Sequence, residues 1–326
     1  MKILVTGGAG FIGSNLVKRC VAEGIDVDVV DNLSNGHLEF IQDVLPKQVE
    51  SNNLVVANFD CPLILDRIKS KKYDVVVHLA AVPRVSYSVE HPIETHETNV
   101  NATLKLMDAC RGSVKRFVFA SSSSVYGGAD QLPTSTSTVK SPKSPYALQK
   151  SIIEDYLALY CRLYGLDSVS LRFFNVFGPN QLGDSPYATA VSSWLNCIMQ
   201  GESMRSDGDG SQSRDMCYVD NVVDACVRSI KSQVSLQAVP LNVACGDRNS
   251  NMQILQYLLQ KFPEAKFHEA PWRPGDVMHT QADLSETERV LGYQPLVRFW
   301  EGLDRTIQWY QDNWEKIKEL TNKANL

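Results

Sequence analysis

The 326-residue sequence contains no apolar run near the roughly 18 residues that span a bilayer, so a membrane-crossing helix is not expected. It has no field of one sign. Against 37 Asp and Glu stand 32 Lys and Arg, a net charge of -5 with pI ≈ 5.7. That excludes the strongly basic surface that nucleic acid or an anionic membrane attracts. The 8 cysteines are scattered from Cys20 to Cys245 without a Cys-x-x-Cys pair. A disulfide framework is therefore excluded and reduced thiols are expected. The 6 histidines form no ligand cluster, so no metal is expected. No signal-peptide pattern precedes the first apolar run, and the expected location is cytoplasmic. Repeats and low-complexity segments are also missing. What remains is an ordinary composition, 44% hydrophobic and 21% charged, long enough for two lobes with a sizeable core.

The first half alternates strand and helix. A β-rich run, Lys2–Thr6, breaks into Gly7-Gly8-Ala9-Gly10-Phe11-Ile12-Gly13 and then a helical pattern to about Glu23. A second strand, Ile25–Asp31, ends in an acid. Strand, glycine turn, helix, strand and acid in this order describe a dinucleotide cradle. Gly7 permits the turn, Gly10 lets backbone approach a pyrophosphate, Gly13 lets the helix pack closely, and Asp31 accepts ribose hydroxyls. A 2′-phosphate would be repelled by Asp31, which favours NAD over NADP. Asn32, Asn35 and Gly36 follow as further candidate contacts. Strands are expected at Leu54–Ala57, Tyr73–Leu79 and Lys115–Ala120, with a long helix over Ile93–Cys110. Leu79, Ala80 and Ala81 offer small residues at a strand end, where a cofactor can approach. Repeated βα units predict a Rossmann-like, doubly wound parallel sheet with ligand at the carboxyl ends of its strands.

The third of those strands runs into Ser121-Ser122-Ser123-Ser124-Val125-Tyr126-Gly127. After a polar stretch, Tyr146-Ala-Leu-Gln-Lys150 opens a helix expected to reach Tyr164. Positions i and i+4 share a helix face, so Lys150 can stand beside the Tyr146 phenol. A neighbouring cation favours phenolate, which would make Tyr146 a base at neutral pH. The spacing alone is weak: with 12 tyrosines and lysine at roughly one residue in twenty, about one such pair arises by accident. A right-handed crossover would bring this helix beside the serine-tipped strand and let Ser122, Tyr146 and Lys150 converge.

Taken together, the Gly7–Gly13 turn, Asp31, His78-Leu-Ala-Ala81, Ser122 before Val125-Tyr-Gly127, and Tyr146-x-x-x-Lys150 resemble the extended short-chain dehydrogenase/reductase family, and within it the nucleotide-sugar epimerases. The resemblance spans nearly the whole chain. It implies bound NAD, a UDP-sugar substrate and epimerisation at C4, with Ser122, Tyr146 and Lys150 catalytic. It sets Asn58 and Phe59 at the adenine, where Asn replaces the family's Asp, and Asn99 near the active site. It also implies a homodimer paired through the helices near 93–110 and 145–164.

The second half reads as a substrate clamp. A strand over Ser168–Phe174 leads into Asn175-Val-Phe-Gly-Pro179, and the Asn175 amide can donate to a diphosphate. Arg214 follows a turn-rich loop and can grip phosphate bidentately. Asp220 is expected to cap the next helix, and Val239–Val243 to be a further strand. The resemblance puts Arg273 on the diphosphate and Asp276 on the nucleotide ribose. Arg84, Ser86, Ser88, Ser123 and Tyr187 belong to sugar-facing segments on the same resemblance. The resemblance also puts Thr280 at the place that borders the sugar C2 substituent, where a small residue admits N-acetyl groups in similar epimerases. The expected division is an NAD-binding domain, 1–174 plus about 214–246, and a mixed α/β nucleotide-sugar lobe, 175–213 and 247–326. UDP-GlcNAc/UDP-GalNAc interconversion is the leading reading, with UDP-Glc/UDP-Gal beside it. A UDP-glucuronate 4-epimerase, a dehydratase or decarboxylase, and a non-catalytic NAD-binding module remain alternatives. The lyases place an acid just before Val-Tyr-Gly, where this chain has Ser123-Ser124.

Overall fold

The computed structural model describes residues 1–45, 53–83, 85–128, 130–184, 188–272 and 277–324. Six strands arise in chain order: β1 (Lys2–Thr6), β2 (Asp26–Asp31), β3 (Leu54–Val56), β4 (Val75–His78), β5 (Arg116–Ser122) and β6 (Ser168–Phe173). With the edge strand Val239–Val243 they form one sheet in the order Val239–Val243, β6, β5, β4, β1, β2, β3. Every neighbouring pair is parallel. The β1 strand is bracketed by β2 and β4, so the chain reverses its direction of travel across the sheet there. Such a switch point leaves a crevice at the carboxyl ends of the strands.

Side chains alternate across a strand, and both faces of this sheet are covered. Ile3, Val5, Val29 and Val77 join one core with Leu16 and Val222, whereas Leu4, Val30 and Val76 join the other with Leu106 and Leu157. That double burial explains why β1 and β4 read as continuous apolar runs. The helix Phe11–Ala22 packs against Val219–Lys231. It is also tied to the crossover after β6, where Asn15 donates to the Pro179 carbonyl (2.9 Å) and Asn180 to Ser14 Oγ (3.0 Å).

Two expectations change. The helix foreseen over Ile93–Cys110 is Pro92–His96 and Thr103–Cys110 joined by a π-helical turn, Glu97–Ala102. Asp220 is not a cap. Tyr218 precedes the helix Val219–Lys231 and Asp220 lies in its first turn, where a carboxylate suits the helix dipole. The last helix extends from Phe299 to Ala324. Its Trp309 and Trp314 pack on the core, while Trp300 lies against Phe299 and Tyr257.

Outside the main sheet, Asn175–Phe177 pairs with Met216–Tyr218, Ser203–Asp207 with Lys266–Ala270, and Ser213–Arg214 with Asn249–Ser250. Among the described residues no helix is long and apolar enough to cross a membrane, and no group of His, Cys, Asp and Glu is arranged to hold a metal ion.

Candidate active site

A cleft of about 2040 Å³ opens over the carboxyl ends of the strands. Gly7 takes φ +71, and a Cβ there would stand 2.8 Å from the Ala80 amide nitrogen, so the turn after β1 rests on the second residue after β4. At Gly13 a Cβ would stand 2.0 Å from the Gly7 carbonyl oxygen, so the helix starts hard against its own turn. Gly10 differs. A Cβ there would meet only the Gly7 carbonyl, at 3.3 Å. That contact is tight but asks a shift of only a few tenths of an ångström, far less than at Gly13, and the added side chain would also intrude on the cleft that Gly10 lines. Gly10 is also the N-cap of Phe11–Ala22 and supplies no side-chain cap, so the open helix terminus suits an anion. Across the cleft floor, Asp31 accepts from Ala9 N (2.9 Å) and Leu33 N (2.8 Å). One backbone donor on each carboxylate oxygen holds the group still and leaves acceptor capacity for hydroxyls. These residues fit a dinucleotide.

A buried imidazole stiffens this floor. His78 Nδ1 lies 2.7 Å from Thr6 Oγ1 and Nε2 lies 2.9 Å from Thr103 Oγ1, while Thr6 Oγ1 accepts from Ala80 N (3.2 Å). Burial first, and then the Lys150 charge, push His78 down to about 3, so it is a neutral spacer. Phe59 sets its ring against the imidazole and lines the cleft with Asn58, whose side chain accepts from Asn32 Nδ2 (2.9 Å).

The catalytic candidates meet at the end of β5. The helix Pro145–Tyr164 begins at Ser144, whose Oγ accepts from Ala147 N (3.2 Å), with Pro145 in its first turn. Lys150 Nζ donates to the Ala120 carbonyl (2.7 Å) and lies 5.8 Å from the Tyr146 ring centre. Ser122 Oγ accepts from both Ser124 N (3.2 Å) and Ser124 Oγ (2.9 Å). With both acceptor positions used, the Ser122 proton is left to donate toward the Tyr146 phenol.

Protonation departs from the expectation that Lys150 makes Tyr146 a phenolate. Burial raises Tyr146 to about 12, with Ser122 opposing, and lowers Lys150 to about 7. In the protein alone, desolvation outweighs the neighbouring cation. A neutral phenol beside a neutral amine nevertheless holds the same number of protons as a phenolate beside an ammonium. The two groups stand on one helix face, and burial presses both toward their neutral forms.

The opposite wall carries Asn175, Arg214 and Thr280. Arg214 Nη1 donates to the Ser213 and Met278 carbonyls, both at 3.1 Å, and Thr280 Oγ1 accepts from Asp215 N (3.1 Å). Asp215 is fully buried and accepts from the backbone N–H groups of Cys245 (2.9 Å), Gly246 (3.1 Å) and Ala282 (3.0 Å). Burial raises its carboxyl to about 7 while those donors oppose. This staple fixes the segment that carries Thr280.

Most foreseen residues line one cleft: Gly7, Gly10, Phe11, Ile12, Gly13, Asp31, Asn32, Asn35, Gly36, Asn58, Phe59, Leu79, Ala80, Ala81, Ser86, Ser122, Ser123, Tyr146, Lys150, Asn175, Arg214 and Thr280. Two do not. Asn99, expected at the cofactor, spends its amide on both backbone groups of Val82 (2.8 and 3.0 Å) and on Gln149 Oε1 (2.8 Å). Ser88, expected at the substrate, is buried; its Oγ donates to the Val85 carbonyl and accepts from Tyr146 N (3.1 Å). Arg84, Tyr187, Arg273 and Asp276 lie outside the described residues. The sequence reading missed Gln149, which stands between Tyr146 and Lys150 and also donates to Thr95 Oγ1 (2.9 Å). It missed Glu154 too, although an i+8 spacing from Tyr146 was there to be seen.

Residues 3–244 match the NAD dependent epimerase/dehydratase family. A UDP-glucose 4-epimerase of Mycolicibacterium smegmatis is 34% identical over 319 residues, covering 96% of this chain and 99% of the relative. A solved structure of a UDP-N-acetylglucosamine 4-epimerase from Methanobrevibacter ruminantium, in complex with UDP-N-acetylmuramic acid, superposes with TM-score 0.87 at 35% identity, covering 96% of this chain and 98% of that one. A dTDP-glucose 4,6-dehydratase from Streptomyces venezuelae, with NAD bound, gives TM-score 0.85 at 28% identity, with 96% and 98% covered.

The glycines separate packing from binding. Gly13→Ala should lower stability by about 1–3 kcal/mol through overpacking and weaken NAD binding as well. Gly10→Ala should leave the melting temperature of the unliganded protein near wild type yet weaken NAD at least tenfold. Calorimetric titration and thermal melting of both variants check this; equal behaviour of the two would contradict it.

Proposed function

The chain belongs to the NAD dependent epimerase/dehydratase family, and within it we propose that this protein interconverts the C4 epimers of a UDP-sugar, with UDP-GlcNAc/UDP-GalNAc as the preferred pair and UDP-Glc/UDP-Gal also accepted. NAD is its cofactor. The observation that carries the reading is the convergence of Ser122, Tyr146 and Lys150 at the end of β5, between the glycine cradle and the wall bearing Arg214 and Thr280. When bound, NAD supplies a hydride acceptor and donor for the sugar carbon and, in its oxidised form, a positive charge in the cleft. Tyr146 would act as the base, and Lys150, in its charged form on the same helix face, would steady the phenolate. Tyr146 removes the proton of the sugar 4-hydroxyl and returns it when the opposite epimer forms. Ser122, oriented by Ser124, is a donor to the same oxygen centre. Arg214 neutralises diphosphate, and the pocket is left to hold the sugar without further proton chemistry. Ser123 and Ser124 stand where the lyases that resemble this chain carry an acid, so no general acid is supplied there for expelling a 6-hydroxyl.

The domain division belongs to the same proposal: residues 1–174 with about 214–246 hold NAD, and 175–213 with 247–326 hold the nucleotide-sugar. The N-acetyl preference rests on Thr280, a small side chain lining the cleft and pinned by the Asp215 amide. A homodimer is also part of it. Leu148, Tyr156, Leu159 and Leu163 repeat at helical spacing on Pro145–Tyr164 and are exposed, Leu163 by 61%; Ile93 on the adjoining helix is 78% exposed. Together these two helices present an apolar face suited to a four-helix interface.

Tyr146→Phe should reduce epimerisation by about 10²–10⁴-fold while NAD remains bound, as followed by separation of the epimers; full activity would overturn the assignment. Thr280→Tyr should depress turnover of UDP-GlcNAc more than that of UDP-Glc, and equal loss on both would remove Thr280 from selectivity. Leu163→Glu should shift the protein from dimer to monomer in sedimentation velocity; an unchanged mass would place the interface elsewhere.

A further inference from the structure

Three consecutive residues at the end of β5 engage three positions of the helix Pro145–Tyr164 spaced four apart. Ser122 faces Tyr146, the Ala120 carbonyl accepts from Lys150, and Ser121 Oγ donates to Glu154 Oε1 (2.6 Å). Positions i, i+4 and i+8 form one stripe along a helix. Two members of the stripe are the reacting pair; the third is a buried carboxylate.

Glu154 is held by a second strand. Arg172 of β6 grips it bidentately, Nε to Oε1 at 2.9 Å and Nη2 to Oε2 at 2.7 Å. The guanidinium is itself fixed by the Tyr126 hydroxyl (2.8 Å) and the Thr136 carbonyl (3.1 Å), and Tyr126 donates to Asn242 Oδ1 (2.6 Å). Glu154, Arg172, Tyr126 and Asn242 are all buried. A buried ion pair of this cost is weak as a source of stability, since an apolar pair of similar volume often does as well. Its position, one helical turn beyond Lys150, gives it another use.

We propose that Glu154, anchored by Arg172, is a positioning residue for the reaction: it fixes the helix register against β5 and sets a carboxylate one turn beyond Lys150 that favours the charged amine. The surroundings of Lys150 contain little else that could do so. Phe119 of β5 puts its ring 4.7 Å from Nζ, Tyr146 lies on the same helix, and His78 of β4 is neutral. Burial presses the amine toward neutrality, and the Glu154 carboxylate opposes it. Around Glu154 stand Arg172 from β6, Ser121 from β5, and Lys140 with Nζ at 3.6 Å, itself paired to Asp155 at 2.6 Å. The sign follows. Removing the Glu154 charge lowers the pH at which Lys150 loses its proton.

The positioning role rests on the proposed epimerase activity, whereas the effect on Lys150 does not, and it can be followed without a sugar. In the full chain labelled with [13C]lysine, the Lys150 Cε resonance, identified by its loss in Lys150→Arg, is followed across pH. Glu154→Gln is examined alone and with Arg172→Met, which removes the buried cation that Glu154→Gln would leave unpaired. Thermal melting monitors the fold of both. The expected result is a titration midpoint lowered by about 1 pH unit in Glu154→Gln, a tenfold change in the charged fraction, and a smaller lowering in the double variant, where the opposing Arg172 charge is also gone and the melting temperature is recovered. A folded Glu154→Gln protein whose Lys150 titrates as in wild type, or a lowering no smaller in the double variant, would overturn the proposal and reduce Glu154 to packing. Either result stands whether or not the protein acts on UDP-sugars.

Discussion

An amine carried into the end of a buried parallel sheet must be satisfied by the sheet itself. Lys150 meets that constraint by donating to the Ala120 carbonyl, and much of the site follows from the contact. It sets how the helix Pro145–Tyr164 lies on β5, and therefore where the Tyr146 phenol stands relative to Ser122. It also removes the amine from water. The same desolvation keeps the Tyr146 phenol protonated and weakens the hold of Lys150 on its charge. The unliganded fold thus holds Tyr146 as a phenol rather than as a ready-made base.

Two other buried polar assemblies hold the walls around Tyr146 and Lys150. On the cofactor side, Thr103, His78 and Thr6 run from a helix through β4 and β1 to the Ala80 amide, against which the Gly7 turn rests. On the substrate side, the Asp215 carboxylate gathers three backbone donors from two separate segments and sets Thr280 at the cleft. Satisfied networks of this kind are costly to rearrange, so they hold backbone positions within narrow limits. Precision at Tyr146 is supplied by side chains that need touch neither ligand.

The sequence disclosed what local patterns encode. The strand ends, the glycine turn, Asp31 and the Tyr146–Lys150 spacing were all legible, because each depends on neighbours in the chain. The parallel order of the sheet followed from repeated βα units and one handedness rule. Long-range decisions were hidden. No glycine or proline marks the π-helical turn Glu97–Ala102; its Asn99 is bonded to Val82 and Gln149, contacts that only the assembled fold creates. The same bonds explain why Asn99 does not line the cleft. Ser88 reads as one more hydroxyl of a sugar-facing loop, and only the packing of Val85–Glu90 on the catalytic helix shows it accepting from Tyr146 N. The charge state of Tyr146 and Lys150 escaped the sequence because spacing reports a neighbour and says nothing of the water excluded around it.

The central claim is that one phenol serves both halves of a reversible change at C4 and that nothing else leaves the sugar. It is tested most directly by incubating the protein with UDP-GlcNAc in D2O and examining the product by proton NMR. The account predicts UDP-GalNAc that retains its original hydrogen at C4 and has an intact 6-hydroxyl. Deuterium at C4, or a 4-keto-6-deoxy product, would contradict it.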